Sequence, residues 1–357
     1  MHLDAAPRRG PRRETAVLRR MLAWVVVALL TGAAASVSEA QIYPTRPVHI
    51  VVGFPAGSTT DILARIYADK LTEYFNQRFV VDNIPGHASN DAAAAAARAE
   101  PDGYTLFLAS NAQSANAAII PEQPFAFPHA FAPIAMLARV PTVLVVNRGL
   151  GVSSVQELIA YAKARPGVLR YGSSGLGTGP QLAAELFKAA SGVAMDHVPY
   201  AGTHEAAADV VAGRLPVLFA PLPTISGIAT DRRIVSLATT GARRSPVAPN
   251  LPTLGEAGLA GIDVNLWFGL MAPRGTPTEI QRELANAVSR AVDSKLFKEN
   301  LTSTGAEPVR ASLDSFAAFI ELDMQSWASL VSKAGVTIEE FQRPTVRTAP
   351  ALPVGGL

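Results

Sequence analysis

Val48-His49-Ile50-Val51-Val52, followed by Gly53-Phe54-Pro55-Ala56-Gly57-Ser58-Thr59-Thr60-Asp61, is the stretch from which the fold is read. A run of β-type residues ends in a turn of glycine, proline and hydroxyl residues. The turn opens directly into a helical pattern that runs to Phe75. The device recurs in a segment ending at Tyr171, then Gly172-Ser173-Ser174-Gly175-Leu176-Gly177-Thr178-Gly179-Pro180, then a helical pattern through Ala190. Each turn leaves backbone N–H groups and hydroxyls at a helix N-terminus. Unpaired donors and the helix dipole both favour negative charge there. The two turns predict a cleft that grips a carboxylated small molecule.

Outward from these turns, strand and helix patterns alternate. Thr60–Phe75 has apolar residues at 63, 66, 67, 71 and 74, one face of a helix. Phe79–Val81, Tyr104–Ala109, Val143–Val146, Val193–Val198, Val217–Ala220, Ile234–Thr239 and Val264–Ala272 read as strands. Helices are predicted over Ala92–Ala99, capped by Asp91, over Val155–Lys163, capped by Ser153 or Ser154, near Glu205–Val211, and over about Leu313–Lys333. Thr276-Pro277-Thr278-Glu279 reads as a helix start with a Thr cap, Pro at N1 and Glu at N3. Such alternation predicts an α/β fold with largely parallel sheets and right-handed crossovers. The two turns lie roughly 120 residues apart, which predicts two similar lobes. Lobe I is expected over 43–146 plus 265–340 and lobe II over 147–264. The chain then crosses twice, making a hinge with a cleft at the carboxyl ends of the strands.

The 357 residues suit two domains, and 49% hydrophobic against 17% charged residues suits a buried core. The formal charge of +2 belongs to the leader: residues 1–40 hold six arginines and three acids, leaving the remainder near −1. No basic patch argues for nucleic acid. Arginines, the apolar run Met21–Leu30 and the box Ser38-Glu39-Ala40 read as a signal peptide over 1–40. A membrane anchor is the alternative, but the apolar run is far shorter than the roughly 20 residues that span a bilayer. Cysteine is absent, which removes disulfides, thiolate metal sites, a cysteine nucleophile and lipidation of an N-terminal cysteine. An exported, unlipidated, periplasmic monomer is expected. The Pro- and Gly-rich end, 343–357, is expected to be a disordered tail.

Gly172–Pro180 reads either as a tight loop that needs glycine or as a ligand-gripping mouth. It matches neither G-x-G-x-x-G nor a phosphate loop nor G-x-S-x-G. Ser58 stands three residues before Asp61, at capping-box spacing, so Asp61 reads as a loop-holding residue ahead of a ligand contact. The six scattered histidines form no metal motif. A Ser–His–Asp triad stays open on the sequence, although nothing marks a serine as activated. Trp267, Phe268 and Trp327 read first as core, with a cleft wall from Trp267 or Phe268 as the second reading.

The chain resembles the Bug/TctC family, the substrate-binding receptors of tripartite tricarboxylate transporters, from about Tyr43 to Val336. The resemblance is carried by Tyr43-Pro44-x-Arg46-Pro47, Phe54–Asp61, Asn83-x-Pro85-Gly86 and Pro101-Asp102-Gly103-Tyr104-Thr105-Leu106. It continues in Tyr171-x-Ser173-Ser174-Gly175-x-Gly177-Thr178, His197-Val198-Pro199-Tyr200 and Arg244-Ser245-Pro246. It ends in Pro252-Thr253-x-x-Glu256-Ala257-Gly258, Trp267-Phe268-Gly269 and Gly305-Ala306-Glu307-Pro308.

The resemblance implies a two-lobed, Venus-flytrap periplasmic binding fold that performs no chemistry and carries no cofactor or metal. It implies loops at Phe54, Pro55, Ala56, Gly57, Ser58, Thr59 and Thr60, with Asp61, and at Ser173, Ser174, Gly175, Gly177 and Thr178, that hold a carboxylate. Backbone groups, hydroxyls and bridging waters do the holding. Ser110, Asn111, Tyr200, Gly202, Ala220 and Pro221 are the further candidates. The ligand would be a mono-, di- or tricarboxylate, passed to the permease subunits of a tripartite tricarboxylate transporter. The alternatives are a sensor that signals to a membrane sensor kinase, and a hydrolase of a carboxylated compound. Three departures stand out: Ser58 and Thr59 where the first turn usually has glycine, His87-Ala88-Ser89 where members read Ala-Gly-Gly, and Ala220 where an acid is usual. The last implies a preference for ligands without a cationic group.

Overall fold

The computed structural model describes residues 43–120, 122–310 and 312–334. The expected leader and tail lie outside the described residues. The chain divides into Met1–Tyr43, of which Tyr43 alone is described, and Pro44–Leu357, whose fold follows.

The first turn joins β1 (Val48–Val52) to α1 (Thr59–Phe75), followed by β2 (Phe79–Asn83), α2 (Asn90–Ala97), β3 (Thr105–Ser110) and α3 (Asn111–Ile119). β4 (Phe131–Asn147) leads to α4 (Val155–Ala164), β5 (Arg170–Ser173), α5 (Gly179–Ser191), β6 (Asp196–Pro199) and α6 (Thr203–Val211). β7 (Val217–Pro221), α7 (Leu222–Ser226) and β8 (Ile234–Thr239) complete that half. β9 (Asn265–Pro273), α8 (Thr278–Asp293), α9 (Lys295–Ser303), β10 (Glu307–Pro308) and α10 (Leu313–Ala334) return to the first.

The molecule is two-lobed and α/β. Strands follow the path β2-β1-β3-β9-β4-β7-β5-β6, with β8 and β10 also on β4. β1 is parallel to β2 and β3, and β5 to β6 and β7. The expectation of largely parallel sheets holds only for these outer strands. β4 is antiparallel to β9, β7, β8 and β10, and β3 to β9. The chain leaves one half on β4 and comes back on β9, so these two strands must run in opposite directions. β4 pairs with β9 as far as Pro141 and with β7 from Thr142 onward, so a single strand serves both halves.

Only Val143–Val146 of β4 was legible as strand, because Pro133 and Pro141 interrupt the pattern. Proline cannot donate to a ladder and belongs at bulges or edges. The β4–β9 register does shift between Pro133 and Ala135, and Pro141 sits at the handover. The predicted start of α8 is one step off: Pro277 is the cap position, Thr278 begins the helix, and the Thr276 hydroxyl donates to Pro273 O at 2.8 Å. α2 begins at Asn90 rather than after Asp91, with Ser89 in the left-handed region at its cap.

Each half has its own core. Phe107, Phe131, Trp267, Met271 and Phe316 cluster in the first, with Ala92, Ala93 and Ala96 of α2 packed among them. Small side chains bring that helix close to the sheet. Tyr171, Leu182, Phe187, Phe219 and Leu254 form one cluster of the second half, and Val143, Val145, Tyr200, Val210 and Ile225 another. α10 belongs to both. Its Phe316 and Ile320 enter the first cluster, and Trp327, two turns later, enters the second.

Candidate functional site

Both Gly/Ser turns fall at the carboxyl ends of parallel strands. In the first, Ser58 caps α1, its Oγ accepting from Asp61 N at 3.3 Å. Asp61 is buried, and its carboxylate accepts from Gly57 N at 2.9 Å, Asn83 Nδ2 at 3.0 Å and Arg65 Nε at 3.0 Å. Burial alone would raise its pKa. The hydrogen bonds from Arg65, Gly57 and Asn83 and the Arg65 charge outweigh it, so the carboxyl titrates below its ordinary value. Asp61 therefore holds the loop rather than facing the gap. Asn83 also donates to Phe54 O at 2.9 Å.

The second turn is tied down by its own side chains. Ser173 Oγ accepts from Gly175 N at 3.2 Å and lies 2.7 Å from His197 Nε2. The Thr178 hydroxyl donates to Gly175 O at 2.7 Å, and Gly177 N donates to Gln181 Oε1 at 2.7 Å. Gly175 and Gly177 have φ of 108° and 71°, a region where a Cβ meets the following carbonyl oxygen. Ser173 is fully buried, its hydroxyl shared between Gly175 of the loop and His197 of β6.

The helix mouths differ between the halves. α1 is capped by Ser58, and α3 by a capping box in which Ser110 Oγ accepts from Ala112 N and Gln113 Oε1 accepts from Ser110 N. α5 and α6 follow the cap positions Thr178 and Gly202, neither of which makes a side-chain cap bond. Each start therefore leaves first-turn N–H groups without a side-chain cap, except at Pro180, which has no N–H.

The two halves touch across the gap. The Thr59 and Thr224 hydroxyls are hydrogen-bonded at 2.8 Å. A Cβ on Gly179 would stand 2.2 Å from Leu266 Cδ2 and 2.7 Å from Asn111 Nδ2, and one on Gly202 3.5 Å from Pro55. A cavity of about 30 Å³ remains between the halves, room for a water or two. The first half lines it with Phe54, Ser58, Thr59 and Thr60 from the first turn and with Ser110, Asn111 and Ala112 from β3–α3. Leu266 and Phe268 of β9 complete that wall. The second half lines it with Ser174, Thr178, Gly179 and Pro180, with Thr203, and with Pro221. Among the described lining residues none carries a charge.

Of the candidates read from sequence, Phe54, Ser58, Thr59, Thr60, Ser110, Asn111, Ser174, Thr178 and Pro221 come together on this cavity. Pro55, Ala56 and Gly57 form the first turn beside it, and Ser173, Gly175 and Gly177 the frame of the second. Gly202 is the cap position of α6. Tyr200 is wholly buried, its hydroxyl donating to Asp209 Oδ2 at 2.7 Å. Ala220 is also wholly buried, in the cluster with Val143 and Ile225, so its side chain serves the core while Pro221 next to it reaches the cavity.

Ala112, Gly179, Pro180, Thr203 and Leu266 were not singled out from sequence; the signal for Gly179, Pro180 and Thr203 was their place at helix starts. Phe268 lines the cavity, whereas Trp267 points the other way, into α10. Strand alternation explains Trp267-Phe268-Gly269. Gly269 faces α10 with Trp267, and its missing Cβ would lie 2.2 Å from the Phe316 ring.

The His87-Ala88-Ser89 departure has a cost. All three residues have positive φ, 42°, 49° and 76°, a strained setting for non-glycine residues. The loop packs against the first turn: a Cβ on Gly53 would overlap Ser89.

A family model described as the tripartite tricarboxylate transporter family receptor matches residues 63–336. Protein BugT of Bordetella pertussis is 32% identical over 324 residues, covering 90% of this chain and 99% of its own. The solved structure of R. palustris Rpa4515 with adipate is 37% identical, with a TM-score of 0.80, covering 83% of this chain and 99% of that one. MatC from Rhodopseudomonas palustris with bound malate is 28% identical, with a TM-score of 0.76, covering 81% and 100%.

Proposed function

The chain belongs to the tripartite tricarboxylate transporter receptor family, and from that premise we propose that it is an exported receptor which captures a small carboxylic acid between its halves and delivers it to a membrane permease. The observation that carries the reading is the cavity itself. It lies between the halves, no charged side chain among the described residues lines it, and the starts of four helices do. Helix N-termini attract an anion without a bulky cation, and α5 and α6 start without a side-chain cap bond. Relatives of the same fold hold adipate and malate.

The volume of about 30 Å³ is too small for such an acid, so entry requires the halves to part. A ligand that contacts both halves only when they approach shifts the population toward the closed form. Ligand binding is read by thermal melting with a panel of mono-, di- and tricarboxylates. A binding acid raises the melting temperature in proportion to the logarithm of its concentration above Kd. A flat panel, combined with release of product from a carboxylic ester, would replace the receptor with a hydrolase.

A further inference from the structure

We propose that His197 is a positioning residue for the second turn: its imidazole donates from Nε2 to the Ser173 hydroxyl and so fixes the loop that presents Ser174 and Thr178 to the cavity. The inference rests on the receptor reading. Hydrogen-bond bookkeeping at Ser173 Oγ carries it. Gly175 N lies 3.2 Å from that oxygen, Gly175 O 3.1 Å and His197 Nε2 2.7 Å. A backbone N–H only donates, a carbonyl only accepts, and a serine hydroxyl has a single proton. That proton goes to Gly175 O. Oγ therefore accepts from Gly175 N and from His197, and Nε2 must carry hydrogen. In the other neutral tautomer the hydroxyl would turn to Nε2 and abandon Gly175 O.

The sheet holds the imidazole in place for this task. β5 and β6 run parallel, with Tyr171 opposite His197. Their rings stack at 4.8 Å and 17°. The Tyr171 ring is itself anchored: it is wholly buried, and its hydroxyl donates to Glu185 of α5, which also accepts from Lys188 Nζ at 2.7 Å. α5 thus fixes Tyr171, Tyr171 fixes the imidazole, and the imidazole fixes Ser173.

The consequence reaches the cavity through Gly175. Its N–H and C=O both bond Ser173, and its C=O also accepts from the Thr178 hydroxyl at 2.7 Å. Ser174 and Thr178, on either side of it, line the cavity. With the Ser173 hydroxyl turned away, the carbonyl is left to Thr178 alone and the bend at Gly175 loosens. His197 is not among the described lining residues, so it acts through Ser173 and not by touching a ligand.

Two measurements test the assignment. Long-range proton–nitrogen NMR spectra at about pH 8, above the ordinary imidazole pKa, read the tautomer with no acid added. Hydrogen on Nε2 is expected, and a bare Nε2 would overturn the proposal. Calorimetric titration with adipate, or with the best-bound acid of the panel if that differs, then compares the wild type with His197→Gln, His197→Leu and Ser173→Ala. Glutamine carries an amide N–H to about the position of Nε2, so His197→Gln is expected to stay within about twofold of the wild-type Kd. His197→Leu and Ser173→Ala are each expected to weaken binding about fivefold, the value of one lost hydrogen bond. The double variant should bind no more weakly than either single one, because both remove the same bond. Glutamine as poor as leucine, or additive losses, would overturn the positioning role and leave the receptor reading intact. Melting curves without acid check folding; if His197→Leu does not fold, the spectra and the contrast between His197→Gln and Ser173→Ala decide. A wild type that binds no acid of the panel would overturn the receptor reading and this role with it.

Discussion

Gly179 shows how a single residue can act on function and on stability in opposite directions. Its backbone is ordinary helix, so alanine fits the conformation and should raise the stability of α5 by about 0.5–1 kcal/mol. The added Cβ, however, would meet Leu266 and Asn111 of the other half. Because that overlap is present in this structure, Gly179→Ala is expected to push the halves apart and to bind the best acid of the panel about tenfold more weakly. A variant with normal Kd would show that the halves need not approach this closely. The reason for glycine at 179 is invisible in sequence, because the obstructing atoms come from residues about 70 and 90 positions away. Gly175 and Gly177 are different: their positive φ is a local demand that the sequence announces. Asp61 was also legible, since a carboxylate three residues after a capping serine has a known local task.

At the scale of elements, α10 and β9 meet on one carboxyl group. Asp323 accepts from Trp267 Nε1 at 2.7 Å and from Trp327 Nε1 at 3.1 Å. The Ser114 hydroxyl faces the same carboxyl, outside good hydrogen-bond geometry. Burial pushes the Asp323 pKa up to about 6, and the Ser114, Trp267 and Trp327 contacts temper the rise. The folded chain therefore holds a proton between pH 4 and 6 that the unfolded chain has released. Stability from this group is full at about pH 4, falls as pH rises through 6, and is flat beyond. From 3.8 to about 6 the loss is on the order of 3 kcal/mol. Asp323→Asn is expected to abolish this slope in denaturant melts between pH 4.5 and 7. The indole emission of Trp267 and Trp327 should titrate near pH 6 in wild type and not in the variant. An unchanged slope would place the titration elsewhere.

α10 itself was read correctly from its apolar spacing, because a helix face is a local pattern. α3 was missed, for Gln113, Ser114 and Asn116 look like a solvated segment yet are wholly or almost wholly buried. Only tertiary partners explain them. The Asn116 amide donates to Ala88 O and Asn90 Oδ1, so this side chain of α3 anchors the strained 87–89 loop.

For the whole molecule, the contact that matters is the Thr59–Thr224 hydroxyl pair joining the halves at 2.8 Å. We expect it to bias the protein toward the closed form. Removing one buried neutral hydrogen bond costs about 1 kcal/mol, which shifts such an equilibrium roughly fivefold. Thr59→Ala and Thr224→Ala should each enlarge the radius of gyration of the ligand-free protein in small-angle scattering. The double variant should add little to either single one, because both remove the same bond. Additive changes would mean that the pair does not act across the gap.

The two strand–turn–helix units, the α/β class and most residues of the first turn that line the cavity could be read from the chain alone. Each is encoded within a dozen neighbouring residues, where periodicity, capping and glycine conformation act. The handover of β4 from one half to the other, the antiparallel centre of the sheet, Phe268 on the cavity with Trp267 packed into α10, and the withdrawal of Ala220 and Tyr200 into the core were decided by folding in three dimensions. They depend on which distant segments occupy the remaining space, and close packing leaves room for only one arrangement of those side chains.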